Sequence, residues 1–273
     1  MLKKKIDTVH IIAYGRHPKN LNNAIKDGVV NEVASIDSID CNDVDLFIVA
    51  TPVLSSIAII QSLLNDPRLK TSALIIDAGS VKQAIVDSVV DHPKAHQFVG
   101  CHPMAGSEKS GYEFSKHSIL TDAWVIITPH HKNKHDDIET IENFWKMLEC
   151  KVYITDAPTH DIIVASTSHL PHIASSILMD AFCSLNKEKD KNTLQPFIGK
   201  GFKDTTRLAG GNAEMWADIV LANTENILKA LDEYIQFVYK AKDVIQNATM
   251  HNDRSLLCHY FEEIQSQWKR YHA

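Results

Sequence analysis

Over the first 155 residues, short apolar runs alternate with longer stretches that are apolar on one side only. Val9-His10-Ile11-Ile12-Ala13-Tyr14 predicts a strand ended by Gly15-Arg16-His17-Pro18, and Leu21 to Lys26 a short helix stopped at Gly28. Asp45-Leu46-Phe47-Ile48-Val49-Ala50 predicts a buried strand closed by Thr51-Pro52, with a helix from Ser55 to Leu64. Ala73-Leu74-Ile75-Ile76-Asp77 is a further strand with Gly79-Ser80 at its carboxyl end, followed by a helix from Val81 to Val90. Strands at Gln97–Val99, Trp124–Thr128 and Val152–Ile154, and a helix from Asp137 to Glu149, continue the alternation. Continuous apolar strands between amphipathic helices predict an α/β domain over residues 1–155, with a parallel sheet covered on both faces.

After Thr155-Asp156 the strand signals stop. His160 to Phe182 reads as one helix with Pro171 inside it, Lys187 to Asn192 as a polar linker, and the chain from Ala213 onward as almost wholly helical. Leu228, Leu231, Ile235 and Val238 recur at steps of three and four, the stripe of a packed helix. Residues 156–273 are therefore expected to form a second, all-α domain. Long striped helices in so small a domain need more cover than they give one another, which favours dimerisation over a self-contained bundle.

Composition narrows the classes. The chain is 44% apolar and 23% charged, with a net charge of −6, so it offers no electrostatic reason to expect nucleic acid or an anionic membrane as partner. Five widely spaced cysteines without a Cys-x-x-Cys pair predict reduced thiols and a cytoplasmic protein, not a disulfide framework. Met1-Leu2-Lys3-Lys4-Lys5 is not followed by the apolar run of a signal peptide, and no stretch was expected to span a membrane. The fifteen histidines show no metal-ligand spacing, so no metal is expected.

Ligands of open parallel sheets bind beyond the carboxyl ends of the strands, where Arg16, Thr51, Ser80 and His102 fall. His102, on a predicted turn in Gly100-Cys101-His102-Pro103, titrates near neutrality and has Ser107 and Glu108 close by in sequence. The bland alternative is a turn histidine that closes a strand. In the helical half, Ser168-His169-Leu170-Pro171-His172 places two imidazoles three residues apart, and Asp161 could share their side of the helix. Arg207 ends the polar segment Gly199-Lys200-Gly201-Phe202-Lys203-Asp204-Thr205-Thr206-Arg207, and a guanidinium suits an acidic substrate. His169 could equally be a buried structural histidine, and Arg207 could pair with Asp204 on the surface.

Asp77-Ala78-Gly79-Ser80-Val81-Lys82, the segment from Gly100 to Glu108, Ser168 to His172, and Gly201 to Arg207 with Met215-Trp216 occur in this order. Together they closely resemble the prephenate dehydrogenase family, which includes arogenate and cyclohexadienyl dehydrogenases. The resemblance runs from about residue 5 to about residue 245. It implies a Rossmann-type nucleotide-binding domain followed by a helical dimerisation domain. It also implies NAD(P)-dependent oxidative decarboxylation of prephenate to 4-hydroxyphenylpyruvate, in tyrosine biosynthesis. By the same resemblance His102 is the catalytic base and Ser80 bonds both the substrate hydroxyl and the histidine. Ser107 and His172 contact substrate, Arg207 binds a carboxylate, and Thr51, Pro52 and Ser80 lie against the cofactor. A histidine at position 172 favours prephenate over arogenate.

Two departures from the family pattern carry expectations of their own. The family opens with a strand and a Gly-x-Gly-x-x-Gly turn that holds the pyrophosphate, and this sequence has neither. Its Rossmann-type sheet is thus expected to be incomplete, short by roughly 20 residues, and to bind nucleotide poorly. Second, Gly15-Arg16 stands where an acidic residue would hold the ribose of NAD, which favours the 2′-phosphate of NADP over NAD. Two other functions fit less of the pattern: a hydroxy-acid dehydrogenase of the same general architecture, and a non-catalytic, truncated dimeric binding module.

Overall fold

The computed structural model describes residues 2–6, 8–15, 21–106, 112 and 117–272. The chain forms two compact units, Met1–Thr224 and Glu225–Ala273. In chain order the first unit holds α1 (Leu2–Lys5), β1 (Ile12–Gly15), α2 (Asn22–Lys26), β2 (Glu32–Ser35), β3 (Leu46–Val49), α3 (Val53–Asn65), β4 (Leu74–Asp77) and α4 (Gln83–Val89). Next come β5 (Phe98–Pro103), β6 (Trp124–Thr128), α5 (His135–Met147), β7 (Lys151–Ile154), α6 (Ala157–Val164) and α7 (Leu170–Leu185). The short α8 (Lys191–Leu194) and α9 (Lys200–Thr206) lead to α10 (Ala213–Ala222), and α11 (Thr224–His251) and α12 (Arg254–His272) complete the chain.

The strands form two sheets, a parallel pair β1–β2 and a five-stranded sheet in the order β3-β4-β5-β6-β7. The expected parallel sheet is present with one correction: β5 and β6 are antiparallel. A parallel return needs a crossover to the opposite end of the sheet. Among the described residues between β5 and β6, the longest helix is the single turn His117–Ile119, so β6 starts from the end where β5 finishes. β2 was not foreseen, because Glu32-Val33-Ala34-Ser35 is short and half polar.

β4 is buried at every residue and shows how the sheet is held. Ile75 joins Ile60, Leu63, Leu64, Ile85 and Val89 of α3 and α4 on one face. Leu74 and Ile76 join Val99, Val125, Ile127, Ile141 and Trp145 on the other. Alternate residues face opposite sides because the strand repeat is two, and neither face is left to water.

From Ala157 to Leu185 the helix is continuous, but Ala165–His169 forms a π-turn. Pro171 lies just after it and has no N–H to donate to the preceding turn, a recognised cause of local rewinding. By length and composition this segment passes for a membrane span, contrary to the sequence expectation. It nevertheless carries buried His160, Asp161, His169 and His172.

In the second unit, Leu228, Ile235 and Val238 of α11 are exposed in the single chain, at 54%, 39% and 50%. The striped helix expected from sequence is there, with much of its stripe open.

Candidate active site

The site begins with a buried ion pair. Asp77, the last residue of β4, pairs with Lys82 ahead of α4, and both side chains are wholly buried. Asp77 Oδ2 also accepts the Gly79 N–H at 2.8 Å, while Oδ1 accepts the Cys101 N–H at 3.0 Å. Lys82 Nζ donates to the Cys101 carbonyl at 2.8 Å. Both backbone groups of Cys101 are thereby fixed, immediately before His102. Gly79 is required for closeness: a Cβ there would lie 2.9 Å from Asp77 Oδ2.

Strand register then aligns the candidates. Val49 faces Asp77, and Ile76 faces Val99. Thr51 and Ser80 follow the carboxyl ends of β3 and β4, and His102 is the next-to-last residue of β5. His102 lies within β5, opposite Ile126 of β6, and not on a turn as its Gly/Pro flanks suggested.

His102 is 8% exposed. Its Nδ1 lies 2.9 Å from His160 Nε2, and His160 Nδ1 lies 2.7 Å from Asp161 Oδ1. The Asp161 carboxylate accepts the backbone N–H groups of Lys82 and Gln83 at 2.8 and 2.9 Å, capping α4 from another helix. Burial first, then the Lys82 ammonium and the imidazoles of His160 and His169, push His102 well below the usual histidine range. At neutral pH it is an uncharged base.

The network continues into the helical part of the first unit. Asn223 Nδ2 donates to the Asp161 carbonyl at 2.8 Å and approaches His169 Nδ1 at 3.3 Å. Burial pushes the His169 imidazole down to about 4. His169 meets Trp216 edge-on, and His172 stacks on the same indole with ring centroids 3.5 Å apart. Ser175, one turn beyond His172 on α7, accepts the Ala209 N–H at 3.1 Å, which holds the turn bearing the exposed Arg207 against α7.

Gly211 makes the stack possible. A Cβ there would lie 2.6 Å from Trp216 Nε1 and 3.0 Å from His172 Cε1. Gly211→Ala is expected to cost about 1–3 kcal/mol, as overpacking does, measured by urea denaturation. Trp216→Phe in the same chain should recover part of it. An unchanged midpoint would show that the stack yields freely.

Among the predicted residues, Ser80 is half-buried just past the carboxyl end of β4. Thr51 Oγ1 is 2.9 Å from Ser56 Oγ, and Pro52 is the N-cap of α3. His172 lies on α7, and Arg207 on the turn that the Ser175–Ala209 bond holds against α7. Arg16, Ser107 and Glu108 lie outside the described residues. Sequence reasoning gave no role to Asp77, Lys82, His160, Trp216 or Asn223. The first two and Trp216 stood in motifs already singled out, and His160 could have been found from its adjacency to Asp161.

Residues 1–154 match the family described as prephenate dehydrogenase, nucleotide-binding domain, and residues 156–263 match prephenate dehydrogenase, dimerization domain. The chain belongs to the prephenate dehydrogenase family. Prephenate dehydrogenase of Bacillus subtilis is 31% identical over 230 residues, covering 84% of this chain and 61% of that protein. The chain thus spans about three-fifths of that relative's length. Cyclohexadienyl dehydrogenase of Zymomonas mobilis is 29% identical over 223 residues, 82% of this chain and 74% of that protein. Among solved structures, Aquifex aeolicus prephenate dehydrogenase in complex with hydroxyphenyl propionate and NAD+ superposes with a TM-score of 0.87 at 28% identity. That match covers 98% of this chain and 91% of the other. The Rossmann-like domain followed by a helical dimerisation domain, expected from the motifs, is the family's architecture.

Proposed function

We propose that this prephenate dehydrogenase family member catalyses the oxidative decarboxylation of prephenate to 4-hydroxyphenylpyruvate. The observation that carries the reading is the buried His102, held near the end of β5 and linked through His160, Asp161, Asn223 and His169 to the Trp216–His172 stack.

The donor set suits the nicotinamide end of a dinucleotide: the hydroxyls of Thr51 and Ser80 past the ends of β3 and β4, with Pro52 at the start of α3. The Gly-x-Gly-x-x-Gly turn that would cradle the pyrophosphate is not in residues 1–273. A bound nicotinamide supplies the acceptor for the hydride that leaves the hydroxyl-bearing ring carbon. His102 takes the hydroxyl proton, and Ser80 holds that oxygen by a hydrogen bond. Arg207 binds a substrate carboxylate in the paired geometry a guanidinium favours, and His172 and Ser107 contact the rest of the substrate. Across the ring, the second carboxylate leaves as carbon dioxide and its electron pair completes the aromatic ring. Aromatisation makes the overall step downhill, so these residues contribute mainly positioning and proton removal.

Gly15-Arg16 favours NADP over NAD, because it replaces a carboxylate with a guanidinium where a 2′-phosphate would sit. A histidine at position 172 favours prephenate over arogenate. The dimerisation-domain match and the exposed stripe of α11 support a homodimer. The five free thiols suit the cytoplasm.

The test gives the full-length protein prephenate or arogenate with NADP or NAD, and follows reduced nicotinamide and the aromatic product. Prephenate with NADP is expected to give the highest kcat/KM, and Arg16→Ala to lower it with NADP alone. Arg207→Ala is expected to raise the KM for prephenate about 10- to 100-fold, the worth of a charge-assisted bond. A folded protein that turns over neither substrate, and whose melting temperature neither one raises, is not this enzyme.

A further inference from the structure

The direction of the hydrogen bonds behind His102 can be read from their outer end. Both Asp161 carboxylate oxygens accept backbone N–H groups, from Lys82 and Gln83. A carboxylate engaged in this way offers only lone pairs, so the His160 nitrogen 2.7 Å from it, Nδ1, carries the hydrogen. With that as its single ring hydrogen, His160 presents a lone pair at Nε2, which faces His102 Nδ1 at 2.9 Å. His102 Nδ1 is therefore the donor, and the lone pair of His102 is left on Nε2.

We propose that His160 and Asp161 are positioning residues that fix the tautomer and ring orientation of His102, keeping its basic lone pair on Nε2. The proposal deepens the functional reading and rests on it only in taking His102 as the base. Asp161 cannot drift, because the same carboxylate caps α4 and its own backbone carbonyl is held by Asn223. His160 cannot rotate away, being 2% exposed and edge-on to His102 with ring centroids 5.1 Å apart. When His102 Nε2 takes a proton, its Nδ1–H keeps its acceptor, and the Asp161 charge lies one imidazole away. An acidic group behind a catalytic histidine, selecting its tautomer, is a known device in hydrolases. Here a second imidazole spans the distance between them.

Among the described residues, the charged and titratable groups around His102 include Asp77 and Lys82 from β4 and the loop before α4, His160 and Asp161 from α6, and His169 from the π-turn. Losing the His160 acceptor leaves the others in place. The test labels the histidine ring nitrogens of the full-length protein and reads the His102 tautomer by NMR in the parent, His160→Gln and His160→Leu, alongside kcat, KM and the pH profile. Gln keeps an acceptor for Nδ1–H and Leu does not.

The parent and His160→Gln are expected to show hydrogen on Nδ1 and none on Nε2, and His160→Leu a mixture. With Leu, kcat should fall about 100-fold with KM within about threefold, and the acid limb of the pH profile should move. With Gln, kcat should stay within about tenfold of the parent. A bare Nδ1 in the parent overturns the proposal, as does a His160→Leu protein that keeps both tautomer and kcat. Should the Leu variant not fold, the parent and Gln spectra decide. Should the parent neither turn over nor be stabilised by either substrate, the dehydrogenase reading fails while the spectra still judge the tautomer.

Discussion

Replacing His102 by asparagine is expected to lower kcat on the order of a thousandfold, with little change in the KM for prephenate. Asparagine keeps a polar group near the substrate hydroxyl but cannot accept its proton, so the loss falls on the transition state. The pH profile of the parent sharpens this expectation. Burial and Lys82 hold the His102 imidazole well below its ordinary range, so the base stays unprotonated as pH falls through that range. The acid limb of kcat/KM for the parent should therefore lie below the usual histidine value, and protonation should abolish activity only beyond it. Steady-state rates across pH measure both effects. A His102→Asn enzyme retaining a tenth or more of the parent kcat would remove His102 from the role of base.

Lys82→Met is expected to have the largest effect on stability. It leaves Asp77 buried with two backbone N–H groups and no cation, and removing one partner of a buried pair costs about 3–5 kcal/mol. Asp77→Asn combined with Lys82→Met should recover much of that, since Asn can still accept from Cys101 N–H and the uncompensated charge is gone. Urea denaturation of the parent, the single variant and the double variant gives the comparison. A loss below about 1 kcal/mol in the single variant would mean that water or another cation replaces the ammonium. The pair is better understood as a positioning device than as a source of stability, because an apolar pair of similar volume could be as stable. It could not hold both backbone groups of Cys101.

How far the sequence shows this follows from the range of each signal. Trp124–Thr128 was bounded correctly because a β-branched run closed by a proline, Pro129, is a local pattern. β5 runs four residues beyond its expected end, through Gly100 and Pro103, because β6 pairs with it there and tertiary pairing overrides local turn chemistry. The motif around Ser80 was legible, yet its lysine was not readable as buried, since lysine is almost never buried unless paired. His160 lies 58 residues from His102 in sequence, and nothing local joins them. Asn223 and Trp216 enter the same network from α10 and its end, again at long range.

The π-turn at Ala165–His169 has a consequence for phase. A helix advances about 100° per residue, so one residue more or fewer between two positions rotates one face a quarter of a circle or more against the other. His160 and Asp161 lie before the π-turn, and His169 and His172 at its end or beyond it. The wide turn acts as a vernier between the pair packed behind His102 and the imidazoles packed on Trp216. Shortening it by one residue would yield a more regular helix whose two ends are turned about 100° out of their present phase.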